Sequence, residues 1–260
     1  MKKTLSLALA LTMALSLAAC GNSGGSSSSA PADASGSSSQ ANSSTSSSSA
    51  NTESDLAYVQ NKGTLVVGIT EFEPMDYQNT DGEWIGFDAD LAKEFAESLG
   101  VTVEFQLIDW DNKVMELDGK TIDVVWNGMT LTEDVLAAME CSQPYLINQQ
   151  VVVVPADVAE DYQTEESLAD LNFAVEIGSA GCEVAQANGY SYTEVADQAT
   201  ALLEVASGTA DAAIIDSLMA GAMIGEGTSY ADMTSTVALT SEEYGVGFRK
   251  GCDLAATLNE

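Results

Sequence analysis

The sequence predicts an α/β fold. Three observations carry that expectation: short apolar runs rich in β-branched residues, helical stretches between them, and one helix–glycine–strand unit that occurs twice. Residues 65–69 form the first strand, after a turn at Lys62-Gly63. Gly86 opens a helix that runs to about Leu99, and Phe87, Leu91, Phe95 and Leu99 recur at i+4, which predicts one buried stripe. Asp88 and Asp90 fall in its first turn, where the helix dipole favours negative charge, and Gly100 ends it. Residues 101–108 are the next strand, 113–117 a short helix, and 123–126 a third strand. The tight turn Asn79-Thr80-Asp81-Gly82 joins two further extended segments. Residues 151–154 are all valine, suited to a sheet interior. Strands at 173–177 and 212–215, with a helix at about 200–206, complete the pattern.

The repeated unit points to a site. Gly119-Lys120-Thr121-Ile122-Asp123 leads into an apolar strand and then Asn127, and Gly208-Thr209-Ala210-Asp211 leads into another and then Asp216. In open α/β sheets, ligands bind outside the carboxyl ends of strands. Two lobes facing each other across a cleft would turn Asn127 and Asp216 on one small molecule.

The N-terminus predicts export. Met1-Lys2-Lys3 precedes an uncharged, mostly apolar run and then Leu17-Ala18-Ala19-Cys20-Gly21, the pattern of a signal peptide over residues 1–19. The run is too short for a permanent membrane span. The end of this segment resembles a bacterial lipobox, which implies lipidation of Cys20 and an anchor to the outer face of the cell membrane. Residues 20–54 are mostly Ser, Gly, Ala and Asn. Such a stretch buries too little apolar surface to fold, and predicts a disordered tether spanning roughly 30 Å.

Composition narrows the function. The chain carries 40 acidic and 8 basic residues, a formal charge of −32, and no histidine. So acidic a surface repels nucleic acid and anionic lipid headgroups. Without histidine, Ser-His-Asp and Cys-His catalysis are excluded and the common zinc and haem ligations largely so. No cofactor, no metal and no enzymatic activity are expected. Beyond Cys20, Cys141, Cys182 and Cys252 leave an odd count in an oxidising compartment. One pair could bridge, or all three could stay reduced.

Ordered segments over roughly residues 55–260 resemble a known family. They are Lys62-Gly63-Thr64-Leu65-Val66-Val67-Gly68, Gly86-Phe87-Asp88-Ala89-Asp90-Leu91-Ala92, Ile122 to Thr130, Ser142-Gln143-Pro144-Tyr145, Gly178-Ser179 and Tyr244 to Lys250. Together they are similar to the type-3 bacterial extracellular solute-binding proteins of polar amino-acid importers. The resemblance implies a two-lobed, periplasmic-binding-protein-like fold of type II, hinged by two crossing strands near 142–151 and 244–248. Lobe 1 would take about 55–143 and 248–260, and lobe 2 about 148–244.

Site roles follow only where residues match. The resemblance implies that Phe72 packs over a ligand and that Trp110 walls the pocket. Gly128 and Thr130 would meet a ligand carboxylate, and Asn127 and Ser179 would supply hydrogen bonds. Ser179 and Ala180 would offer the free N–H groups of a helix start to an anion. Asp216 would receive the α-ammonium. One departure concerns the ligand: where that family has Thr-x-x-Arg, this chain has Thr132-Glu133-Asp134-Val135, and no neighbouring Lys or Arg in the sequence replaces the guanidinium. A solute lacking a free carboxylate thereby gains weight. The function implied is a monomeric, lipid-anchored substrate-binding protein that delivers an amino acid or amine to the permease of an ABC importer. A tethered sensor without transport is the alternative, and a dehydratase on the same fold is a third.

Overall fold

The computed structural model describes residues 54–260; the signal segment, Cys20 and almost all of the expected tether lie outside the described residues. Along the chain, α1 (Asp55–Lys62) leads into β1 (Thr64–Ile69), the hairpin β2 (Tyr77–Gln78) and β3 (Trp84–Ile85), and α2 (Phe87–Ser98). Then come β4 (Thr102–Leu107), α3 (Lys113–Asp118), β5 (Val124–Thr130), α4 (Glu133–Ala138), β6 (Glu140–Cys141) and β7 (Leu146–Asn148). The second lobe contains β8 (Gln150–Pro155), β9 (Asn172–Glu176), α5 (Ala180–Asn188), β10 (Ser191–Val195), α6 (Gln198–Ser207), β11 (Ala212–Asp216), α7 (Ser217–Met223) and β12 (Met233–Ala238). The chain returns through β13 (Glu242–Phe248) and ends in α8 (Leu254–Leu258).

Two sheets result. The first has the order β4-β1-β5-β13-β6, with β7 also on β13, and the second the order β10-β9-β11-β8-β12. In each, a parallel set (β4, β1, β5; β10, β9, β11) meets antiparallel strands beyond it. Both faces of each sheet are covered, which explains the continuous apolar runs. Val151, Val153, Ala213 and Ile215 pack on one side of the second sheet, and Val152, Val154, Ala212 and Ile214 on the other. Val124 and Trp126 of β5 likewise face the α2 side, while Val125 and Met129 face Trp110 and Val135.

The chain crosses between sheets twice. Asn148 ends β7 in the first sheet and Gln150 begins β8 in the second. The return falls between Ala238 and Glu242, ahead of the expected 244–248, because all of β13 is already paired in the first sheet. Other expectations need correcting. Phe87 is 48% exposed rather than in the stripe; it stacks on Tyr145 with ring centroids 6.3 Å apart, and the core face of α2 is Ala89, Ala92, Phe95 and Ala96. Asn127 lies within β5 and not at its end, since that strand continues to Thr130. Cys141, Cys182 and Cys252 are all free thiols.

Candidate functional site

A cavity lies between the two lobes, lined by residues of both. All eight residues expected to meet a ligand line it: Phe72, Trp110, Asn127, Gly128, Thr130, Ser179, Ala180 and Asp216. The lobes touch beside it. Lys113 Nζ donates to the Gly178 carbonyl at 2.9 Å, and Thr132 Oγ1 donates to Glu183 Oε1 at 3.3 Å. Gly178 has φ +69°, and a Cβ there would come within 3.0 Å of Asp111 Cα in the opposite lobe. A side chain at 178 would therefore be strained and would hold the lobes apart.

The first lobe spends most of its polar groups on its own architecture. Asn127 Oδ1 accepts from the Thr70 N–H and hydroxyl at 2.9 and 2.7 Å, and its Nδ2 donates to the Thr70 carbonyl and to Asp76. The Gly128 N–H donates to Asp88 at 2.6 Å, and the Tyr145 hydroxyl donates to the same carboxylate. Burial pushes Asp88 up to about 6, and burial beside Asp88 raises Asp76 as well. The first-turn acid read from the sequence as a dipole partner thus also locks α2 to β5. Phe72 packs edge-on to Tyr244 at 6.5 Å, and its ring would collide with any Cβ on Gly128. Thr130 donates its hydroxyl to Glu242 at 2.8 Å.

The second lobe contributes two strand ends and a helix start. Ser179 caps α5 by accepting from the Cys182 N–H at 3.1 Å. The N–H groups of a first helical turn have no partner inside the helix, so those of α5 favour an anion. Asp216 ends β11 and is buried among four side-chain donors. Its Oδ1 accepts from Gln150 at 2.9 Å, Tyr244 at 2.7 Å and Asn148, and its Oδ2 accepts from Gln198. Burial nevertheless pushes Asp216 up to about 7, with Glu242 adding to the shift and the Tyr244 and Gln198 donors opposing it.

Several lining residues were not anticipated, Glu176 and Lys113 among them. Glu176 ends β9 next to β11, and it is 3% exposed with no hydrogen-bond partner on Oε1. Burial raises it to about 8, helped by Asp216 and Asp197 and opposed by Gln198 and Lys113. The signal that singled out Asp216, an acid closing an apolar strand, was present at Glu176 too. Lys113 is 8% exposed, sits over the Trp110 ring at 4.8 Å from its centroid, and donates to the Trp110 carbonyl. Burial lowers its basicity, while Glu176, Asp111 and Glu183 oppose the shift. A cation therefore does reach the cavity wall near Val135, from a helix far away in sequence. A wider recess shares Thr130, Thr132, Ala180 and Glu183 with the cavity and is rimmed by Glu133, Glu242 and Glu243.

Known proteins share this architecture. The L-cystine-binding protein TcyJ of Escherichia coli (strain K12) is 29% identical over 212 residues, covering 80% of this chain and 79% of that protein. The holo form of ArgBP from T. maritima superposes with a TM-score of 0.72 at 34% identity, covering 78% of this chain and 90% of its own. A cyclohexadienyl dehydratase of Pseudomonas aeruginosa is 25% identical over 173 residues, 65% of each chain. Residues 65–260 match the model of the bacterial extracellular solute-binding proteins, family 3. The chain belongs to that family and has its two-lobed, type II periplasmic-binding-protein fold.

Proposed function

We propose that this family 3 member is the capture component of an ABC importer, tethered by lipid at Cys20, which binds an amino acid or related amine and hands it to a permease. One observation carries the reading: a cavity between the lobes is lined by both strand-end acids, Glu176 and Asp216, and faced by aromatic walls at Phe72 and Trp110. Buried carboxylates in a cavity favour a cationic group on whatever enters, because an ammonium restores the charge balance that burial removes. The names of the relatives, cystine and arginine binders among them, make α-amino acids the first class to screen. Lys113 and the start of α5 would face the carboxylate, in place of the guanidinium missing at Val135.

A thermal-shift screen of amino acids, amines and polyamines tests this, since binding to the folded state raises the melting temperature by mass action. At least one amine-bearing solute is expected to give a saturable rise. No rise across all three classes would remove the reading. The tether is checked separately: mass spectrometry of the exported protein should find diacylglycerol on Cys20, and Cys20→Ala should abolish it.

A further inference from the structure

The charges on the cavity wall are divided between two poles. At one, the parallel strands β9 and β11 end side by side on Glu176 and Asp216. A carboxylate offers about four lone-pair sites; Asn148, Gln150 and Tyr244 crowd Oδ1 of Asp216, whereas Oδ2 meets Gln198 alone and keeps room for one ammonium. Glu176 differs. Its Oε1 has no partner, it is 3% exposed, and the charged groups facing it are two further acids, Asp216 and Asp197, and a single cation, Lys113. At the other pole, Lys113 holds its ammonium against the Gly178 carbonyl, one residue before the Ser179 cap of α5. Glu183 also lies in that first turn, hydrogen-bonded to Thr132, and partly offsets the positive end.

We infer that Glu176 is the specificity-determining residue of the cavity: it receives a second cationic group, so the preferred solute is a basic amino acid. The inference rests on the proposed solute-binding function and deepens it. Glu183 also lines the wall but is exposed and bonded to Thr132; the two buried strand-end acids and one ammonium that remain match a solute with two cations and one carboxylate. A neutral amino acid would satisfy Asp216 and Lys113 but leave Glu176 Oε1 buried without a partner, which disfavours it. A diamine would satisfy both acids and leave Lys113 unmatched.

Three probes separate these cases: L-arginine and two relatives each changed at one charge, L-citrulline without the cationic side chain and agmatine without the carboxylate. By calorimetry the parent protein should bind arginine at least about tenfold more tightly than citrulline. Glu176→Gln keeps the shape and should weaken arginine about thirtyfold or more, as expected for truncating a buried charge pair, and so abolish the preference for arginine over citrulline. Lys113→Met should weaken arginine and spare agmatine. The parent comparison needs no variant, and the melting curve of ligand-free Glu176→Gln checks its fold. Equal binding of arginine and citrulline by the parent, or an unchanged preference in Glu176→Gln, overturns the inference. If neutral or acidic amino acids bind and basic ones do not, this inference falls and the proposed function stands. If no amine-bearing solute binds at all, both fall.

Discussion

At the base of the first lobe, Asp55 and Asp123 are buried against cations, whereas at the cleft Glu176 and Asp216 are buried against amides, a phenol and each other. Arg249 donates through Nε and a terminal nitrogen to Asp55 at 3.2 and 3.0 Å, lies 3.5 Å from Asp123, and also donates to the Ile122 and Leu117 carbonyls. Lys62 completes that cluster on Asp123. No comparable pairing meets Glu176, and Lys113 is turned to two carbonyls instead. The contrast separates two uses of a buried acid. Charge neutralised from within the chain holds α1, β5 and the end of β13 together. Acids left without a cation hold protons in the ligand-free state and ionise there only at a cost, which an entering ammonium offsets, as a capture protein requires.

The comparison breaks most directly at Arg249. Arg249→Met leaves two buried carboxylates short of a cation and should destabilise the fold by about 3–5 kcal/mol, read by denaturant unfolding. Ligand affinity of the folded fraction should stay unchanged. Asp216→Ala is the mirror image. It should weaken binding of the solute found by screening about thirty- to several-thousandfold. It should also cost about 1–3 kcal/mol of apo stability, because Asn148, Gln150, Gln198 and Tyr244 lose their shared acceptor.

Acidity sharpens the same contrast. Glu176 titrates near its ordinary 4.5 in the unfolded chain and at about 8 when folded, and Asp216 near 3.8 and about 7. Between those limits folding takes up protons, so the contribution of each acid is fully present below its unfolded value and is lost as pH rises through its folded one. The ligand-free protein should therefore melt at a higher temperature at pH 5 than at pH 8. Relief of general acidic repulsion acts in the same direction, so Glu176→Gln serves as the control and should flatten the upper part of the profile. A cationic solute reverses the sign, and its affinity should rise with pH as the acids ionise. The smallest effect belongs to Gly178→Ala. The left-handed backbone alone costs a Cβ about 1–2 kcal/mol, and contact with Asp111 should open the lobes, seen as a larger radius of gyration by small-angle scattering.

Legibility in the sequence followed burial. The strands at 151–154 and 212–215 were evident because both of their faces are covered, so no polar residue interrupts them. β10 and β12 escaped notice because they are edge strands, and Ser191-Tyr192-Thr193-Glu194-Val195 alternates nothing that a pattern can detect. The family-derived residues came together in one cavity, but their hydrogen bonds did not follow from the motifs. The Gly128 N–H meets Asp88, and Asn127 meets Thr70, because those partners are brought in by packing between β1, α2 and β5. Lys113 was invisible as a site residue for the same reason. A lone lysine opening a six-residue helix carries no spacing signal, and only the approach of Gly178 from the other lobe gives it a role.

The second lobe is one uninterrupted stretch, 150–238, and so invites excision as a miniature receptor. Its hydrophobic interior argues otherwise. Phe72, Met75 and Tyr244 belong by sequence to the first lobe, yet they pack in one cluster with Val151, Val153, Ala213, Ile215 and Met219. Cut free, the fragment would present that half-finished interior to water and should collapse loosely, with near-native far-ultraviolet dichroism but little near-ultraviolet signal. The two halves share a seam of side chains as well as two chain crossings, and neither half is a part that can be exchanged on its own.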